Sequence, residues 1–118
     1  MVLVRGMTGM IYIAVPDKND SVSRITLSGK EYLIRFTYNP TYDYWSYGLY
    51  DINKKPILPM AKIVPFSPLL YFYKYTDLPD GQLGCFSAVE RVGRNAFKDG
   101  KAKFAYIANS ELEGVAGR

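Results

Sequence analysis

The sequence predicts an all-β fold: a single small antiparallel β-sandwich or partly open β-barrel with extended N- and C-terminal arms. Three observations carry this. Short runs with period-two alternation recur at spacings of roughly 8–12 residues, separated by Gly, Pro, Asn and Asp, which is the rhythm of strands and tight turns. No apolar period of the helical kind persists over a helix-length window. Aromatic residues reach 15%, with 11 Tyr, and Tyr favours a pleated surface that buries its ring while its hydroxyl stays wet.

Taken in order, residues 1–9 hold two glycines without clear alternation and read as an N-terminal arm. Ile11, Ile13 and Val15 alternate with Tyr12 and Ala14 in a first strand that stops at Pro16. Residues 21–28 form a second, with Ile25 and Leu27 facing inward, and Ser28-Gly29-Lys30 supplies a tight turn. Residues 30–51 then make the central hairpin. Tyr32, Ile34, Phe36 and Tyr38 share one face of its first strand, and Trp45, Tyr47 and Leu49 share one face of its second. Between them, Asn39, Pro40 and Asp43 supply turn chemistry. This hairpin carries the single Trp and is the expected nucleus of the core.

Beyond it, Pro59, Pro65 and Pro68 restrict residues 60–64 to a short edge strand and make 65–68 a rigid exposed loop. Residues 69–75 (LLYFYKY) are apolar on both faces, which suits a central strand or one whose second face meets a partner. A turn at 77–81, a strand over 82–89, a polar and basic stretch over 91–103 and a last strand over 104–107 follow. The expected organisation is an arm at 1–9, one β domain at 10–107 and a C-terminal tail at 108–118.

Composition bounds the chemistry. The 118 residues suffice for one domain with one core, and 48% hydrophobic with 22% charged residues is ordinary for a globular chain. With no His and one Cys, Ser–His and Cys–His pairs, His/Cys zinc sites and an intrachain disulfide have no residues to build them. Cys85, in the run LGCFSAV, reads as a small buried hydrophobe rather than a reactive thiol, and a reducing compartment such as the bacterial cytosol is expected. No segment approaches the length of about 18 apolar residues that spans a bilayer. The opening run lacks the continuous apolar centre of a signal peptide.

No catalytic, cofactor or metal constellation emerges, and a non-enzymatic role is expected. Asp77 and Asp80 bracket a Pro turn without the oxygen count or spacing of a calcium loop. Residues 81–84 (GQLG) are not followed by a helix and do not match a phosphate cradle. The net charge of +4 is weak evidence by itself for a polyanion partner. The best charged feature is the segment 91–103, where Arg91, Arg94, Lys98, Lys101 and Lys103 are opposed locally only by Asp99. Its sharper reading is a contact to nucleic acid or an acidic protein, and its plainer reading a solvated loop and strand. The aromatic strand, through Tyr71, Tyr73 and Tyr75, reads as a core strand with one face at a protein interface.

The order of features resembles a family. IYIAVP, then SRITLSGKEYLIRFTYN ending at Asn39, then Tyr44-Trp45, Leu49-Tyr50-Asp51 and Pro56-Ile57-Leu58 carry the likeness. It continues through Ile63-Val64-Pro65-Phe66-Ser67-Pro68-Leu69-Leu70 and Leu78-Pro79-Asp80-Gly81-Gln82-Leu83, spanning about residues 10–107. The chain is similar to the small baseplate plug proteins of contractile-tailed phages, a family described from a cyanophage tail. That resemblance implies a non-enzymatic virion component of the distal baseplate, in several copies among hub, spike, tail-tube or tube-initiator proteins. It implies assembly in the host bacterial cytoplasm, with no cofactor and no membrane. The chain departs from the pattern in Lys54-Lys55, where the family tends to have a Gly turn, in its richer Tyr content, and in its two ends. The expected protein contacts are Pro65, Phe66, Pro68, Tyr71, Tyr73, Tyr75, Arg91, Arg94 and Lys98. The alternative reading is a small β-barrel that binds nucleic acid through the basic segment 91–103.

Overall fold

The computed structural model describes residues 3–5, 10–65 and 81–108. Their strands are β1 (Leu3–Arg5), β2 (Met10–Ile13), β3 (Asp20–Leu27), β4 (Lys30–Asn39), β5 (Tyr44–Tyr50), β6 (Pro56–Lys62), β7 (Gly81–Ser87) and β8 (Ala102–Ala108). They form two four-stranded antiparallel sheets, ordered β1-β2-β8-β7 and β3-β4-β5-β6. The expected all-β fold is therefore a sandwich, and among the described residues no strand joins the two sheets into a barrel. Leu3–Arg5, inside the segment read as an N-terminal arm, pairs with β2 at the sheet edge.

The β3-β4-β5 meander follows from local chemistry. Ser28 (φ 50°) and Gly29 (φ 79°) both adopt positive φ, the two-residue turn whose twist matches that of the flanking strands. All eight β3 residues pair with β4 without a shift, from Asp20↔Thr37 to Leu27↔Lys30. At the next turn the backbone N–H of Tyr42 donates to Asn39 Oδ1 (3.0 Å), and Asp43 takes φ 56°, which a short acidic side chain tolerates. This register sets Ile34 opposite Leu49, Phe36 opposite Tyr47 and Tyr38 opposite Trp45, three apolar cross-strand pairs on the inward face.

The edge strand β6 begins earlier than the prolines suggest, at Pro56, and includes Pro59. Two register shifts against β5, on either side of Leu49, accommodate it, and an edge position spares proline a missing ladder bond. The turn before it is organised by Asp51, whose Oδ1 accepts from the N–H groups of Asn53 and Lys55, both at 2.9 Å. Lys54 there has φ 69°, a conformation that costs a residue with a Cβ.

Ile25, Leu27, Tyr32, Ile34, Phe36, Trp45, Tyr47, Leu49 and Leu58 of one sheet meet Ile13, Leu83, Cys85, Phe104 and Tyr106 of the other, all buried. Phe104 is the bridge between layers: its ring lies 5.2 Å from Phe36, edge-on, and 5.3 Å from Tyr47. Ser28 and the hydroxyl of Tyr106 are hydrogen-bonded across the layers. Cys85 is 1% exposed and its thiol is pushed up to about 11 by burial, as expected of a small hydrophobe. A thiol-specific reagent should therefore leave Cys85 unlabelled in the folded protein at pH 8 and react fully once denaturant unfolds it. Stoichiometric labelling of the native chain would contradict this burial.

Candidate interaction site

The predicted site residues fall into two groups. Phe66, Pro68, Tyr71, Tyr73 and Tyr75 lie outside the described residues. Pro65, the last described residue before that stretch, bridges Cys85 in parallel and so closes the free side of β7. Arg91, Arg94 and Lys98 come together on the connection between β7 and β8.

That connection is a self-bonded loop with exposed charged residues over a small buried base. The Ser87 hydroxyl donates to Val89 O (2.7 Å) and accepts from Val89 N (3.0 Å), turning the chain out of β7. Ala88 N donates to Lys101 O (2.7 Å) and closes the neck, while Val92 and Ala96 are buried beneath. Internal bonds from Ala96 N to Gly93 O and from Asp99 N to Asn95 O hold the turns.

The loop then docks on the tip of the opposite sheet. The indole N–H of Trp45 donates to Gly93 O (3.0 Å), and Phe97 meets the Trp45 ring edge-on at 5.9 Å. At Gly93 an added Cβ would lie 3.2 Å from Asp43 Oδ1, so the bare backbone permits the close approach. Arg94 lays its guanidinium over Trp45 (5.5 Å) and Tyr38 (5.9 Å). Its Nε donates to Asn19 Oδ1 (2.5 Å) and its Nη1 to Asp17 Oδ1 (2.8 Å). Lys98 Nζ sits 3.4 Å from Asp17 Oδ2, and Arg91 Nη1 sits 3.7 Å from Asp43 Oδ2. Asp43 also accepts from the Tyr38 hydroxyl at 2.6 Å.

The cationic segment thus has counter-charges that its own stretch of sequence lacks. Asp17 arrives from the connection between β2 and β3, and Asp43 from the turn between β4 and β5. Only Arg94 is substantially enclosed; Arg91 and Lys98 keep 71% and 58% of their side-chain surface, enough to contact a partner as well. Among the described residues no group of Cys, Asp and Glu is placed to hold a metal ion.

These pairs make stability depend on pH. Hydrogen bonds from Arg94 and then Lys98 hold the Asp17 carboxyl below its ordinary range, and Arg35 does the same for Asp20. A depressed carboxylate stabilises the fold above its unfolded value of about 3.9, and that contribution is lost as pH falls through the lower folded value. Urea midpoints should hold steady from pH 7 to 5 and decline below about pH 4. Asp17→Asn should flatten part of that decline; an unchanged acid limb would contradict the pairing.

One comparison decides the family. A protein-family profile described as cyanophage baseplate Pam3 plug gp18 matches residues 10–110, most of the chain. The chain belongs to this family. No curated protein matches the chain. The matched span takes in the sandwich from β2 through β8 and the clamped loop. Membership in the baseplate plug family gives the chain a structural role in a phage tail baseplate, alongside other baseplate proteins, and points away from enzymatic activity. The order IYIAVP to GQL carried that resemblance in the sequence. Asp17, Asn19 and Asp43 were the site residues that sequence reading missed, because nothing local marks them as partners of the basic segment.

Proposed function

We propose that this chain is an adaptor at the junction of tail tube and hub in a contractile-tail baseplate, present in several copies and acting through protein–protein contacts alone. The family match over residues 10–110 carries this reading. The body is the β domain at 10–107, with 1–9 and 108–118 as arms toward neighbours. The contact surface combines Pro65, Phe66 and Pro68, the aromatic side chains of Tyr71, Tyr73 and Tyr75, and the loop bearing Arg91, Arg94 and Lys98.

A rigid wedge suits such work. Clamped loops and a layered aromatic core hold a surface in one shape, and a preorganised surface loses little freedom on docking. Assembly in the host cytoplasm is consistent with the single thiol buried in the core. The nucleic-acid reading has less support, because Arg94 is committed to Asp17, Asn19 and two rings within the chain.

Mass spectrometry of gradient-purified tails tests the placement. Peptides of this chain should appear in fixed ratio to hub and tube-initiator proteins. Tails that are complete and infectious without it would overturn the proposal.

A further inference from the structure

Three of the four sheet edges among the described residues are closed to further strands. Strand β6 carries Pro56 and Pro59 and a shifted register, β7 takes the Pro65 bridge, and β1 is three residues long. Strand β3 is different: eight residues, no proline, and an unbroken register. A long, regular edge is a template for another strand, and single-chain proteins ordinarily block it.

The hydrogen-bond phase of that edge can be read. Tyr38 N donates to Asn19 O (2.8 Å), so the pair Asn19–Tyr38, one step beyond Asp20↔Thr37, is hydrogen-bonded. Alternation along an antiparallel ladder then commits residues 21, 23, 25 and 27 to β4. The N–H and C=O groups of Asp20, Val22, Arg24 and Thr26 point away from the sheet. All four of these residues are exposed, and Val22 is an apolar side chain at 58% exposure.

We infer that β3 pairs antiparallel with β3 of a second copy about a two-fold axis through Val22, joining the two β3-β4-β5-β6 sheets into one continuous sheet. This register brings outward-pointing backbone groups together in the pairs Asp20 with Arg24, Val22 with Val22 and Arg24 with Asp20, and each can exchange both ladder bonds. The side chains agree with the backbone. Arg35 binds Asp20 with two bonds (2.9 and 2.7 Å), and Arg24 Nε lies 3.7 Å from Glu31. Pairing in this register sets Asp20 of one copy beside Arg24 of the other, so charges alternate as Arg35, Asp20, Arg24, Glu31 across the seam. Shifting the axis to Arg24 would instead oppose two arginines.

On the inner face the same register places Ser21 opposite Ser23 of the second copy. Ser21 Oγ is buried and has no hydrogen-bond partner among the described residues, and a cross-strand hydroxyl supplies one. Val22 opposite Val22 covers the exposed apolar side chain at the centre. The pairing concerns the isolated chain and does not rest on the baseplate reading.

Sedimentation equilibrium of the purified full chain tests it, using three proteins. The wild type should be a reversible dimer at micromolar to millimolar concentration. Val22→Pro removes an N–H that β4 does not use, so the fold tolerates it while the central pair is lost and the incoming strand is obstructed. That variant should keep the wild-type circular dichroism spectrum and weaken association by more than about 100-fold. Arg24→Glu, which leaves every backbone donor in place and opposes two acids, should weaken it by about tenfold. A wild type that stays monomeric at millimolar concentration overturns the inference. So does a folded Val22→Pro or Arg24→Glu variant that dimerises as the wild type does.

Discussion

Phe104→Ala should destabilise the protein by about 3–5 kcal/mol. The side chain is 1% exposed and reaches from β8 across the sandwich to touch Phe36 and Tyr47 of the opposite sheet. Alanine would remove two ring–ring contacts and leave a cavity between layers that are each held by four paired strands. Such layers collapse poorly onto a void, so the cost belongs at the upper end of the range. A domain of this size has about 5–15 kcal/mol in total, so the variant should unfold at a much lower urea midpoint. Phe104→Leu keeps most of the volume and should cost less than half as much. A truncation cost below about 1 kcal/mol would show that Phe104 does not join the sheets.

Arg94→Ala should cost about 2 kcal/mol, more than an ordinary surface ion pair, which is worth about 0–1 kcal/mol. The difference arises because one guanidinium covers two rings and makes two hydrogen bonds while it is only 28% exposed. It fastens the loop of one sheet to the hairpin tip of the other. Lysine can keep the charge beside Asp17 but cannot match the planar fork or lie flat on Trp45, so Arg94→Lys should recover less than half of the loss. A double-mutant cycle with Asp17→Ala should give a favourable coupling clearly above zero. Zero coupling would mean that Arg94 acts only by covering the rings.

Much of this fold was legible because strand chemistry is local. Period-two alternation in residues 30–51 identified the inward set Tyr32, Ile34, Phe36, Tyr38, Trp45, Tyr47 and Leu49, all buried except the half-buried Tyr38. Ser28-Gly29 announced its turn by composition, and Cys85 its burial by the company it keeps. Boundaries were harder where prolines speak against a strand: β6 starts at Pro56 because an edge with a shifted register asks less of its N–H groups.

The site was less legible because it is non-local. Arg94 and Asp17 lie 77 residues apart, and no spacing rule links a basic loop to an acid so distant in sequence. Reading residues 91–103 by themselves left five cations facing Asp99 alone, whereas folding brings Asp17 and Asp43 to them. The edge of β3, unpaired among the described residues, was equally hidden, since its hydrogen-bond phase depends on Tyr38 reaching Asn19. Family likeness survived these gaps because it rests on the order of strands and turns over residues 10–110 rather than on any one contact.

The central claim is a place in a particle, so the most direct measurement is an electron cryomicroscopy reconstruction of the purified tail tip. The account predicts density for this two-sheet sandwich at the junction of tail tube and hub, with the loop carrying Arg91 and Lys98 and the stretch beginning at Pro65 turned toward neighbouring proteins. A tail tip in which the tube meets the hub directly, with no density that fits this chain, would contradict it.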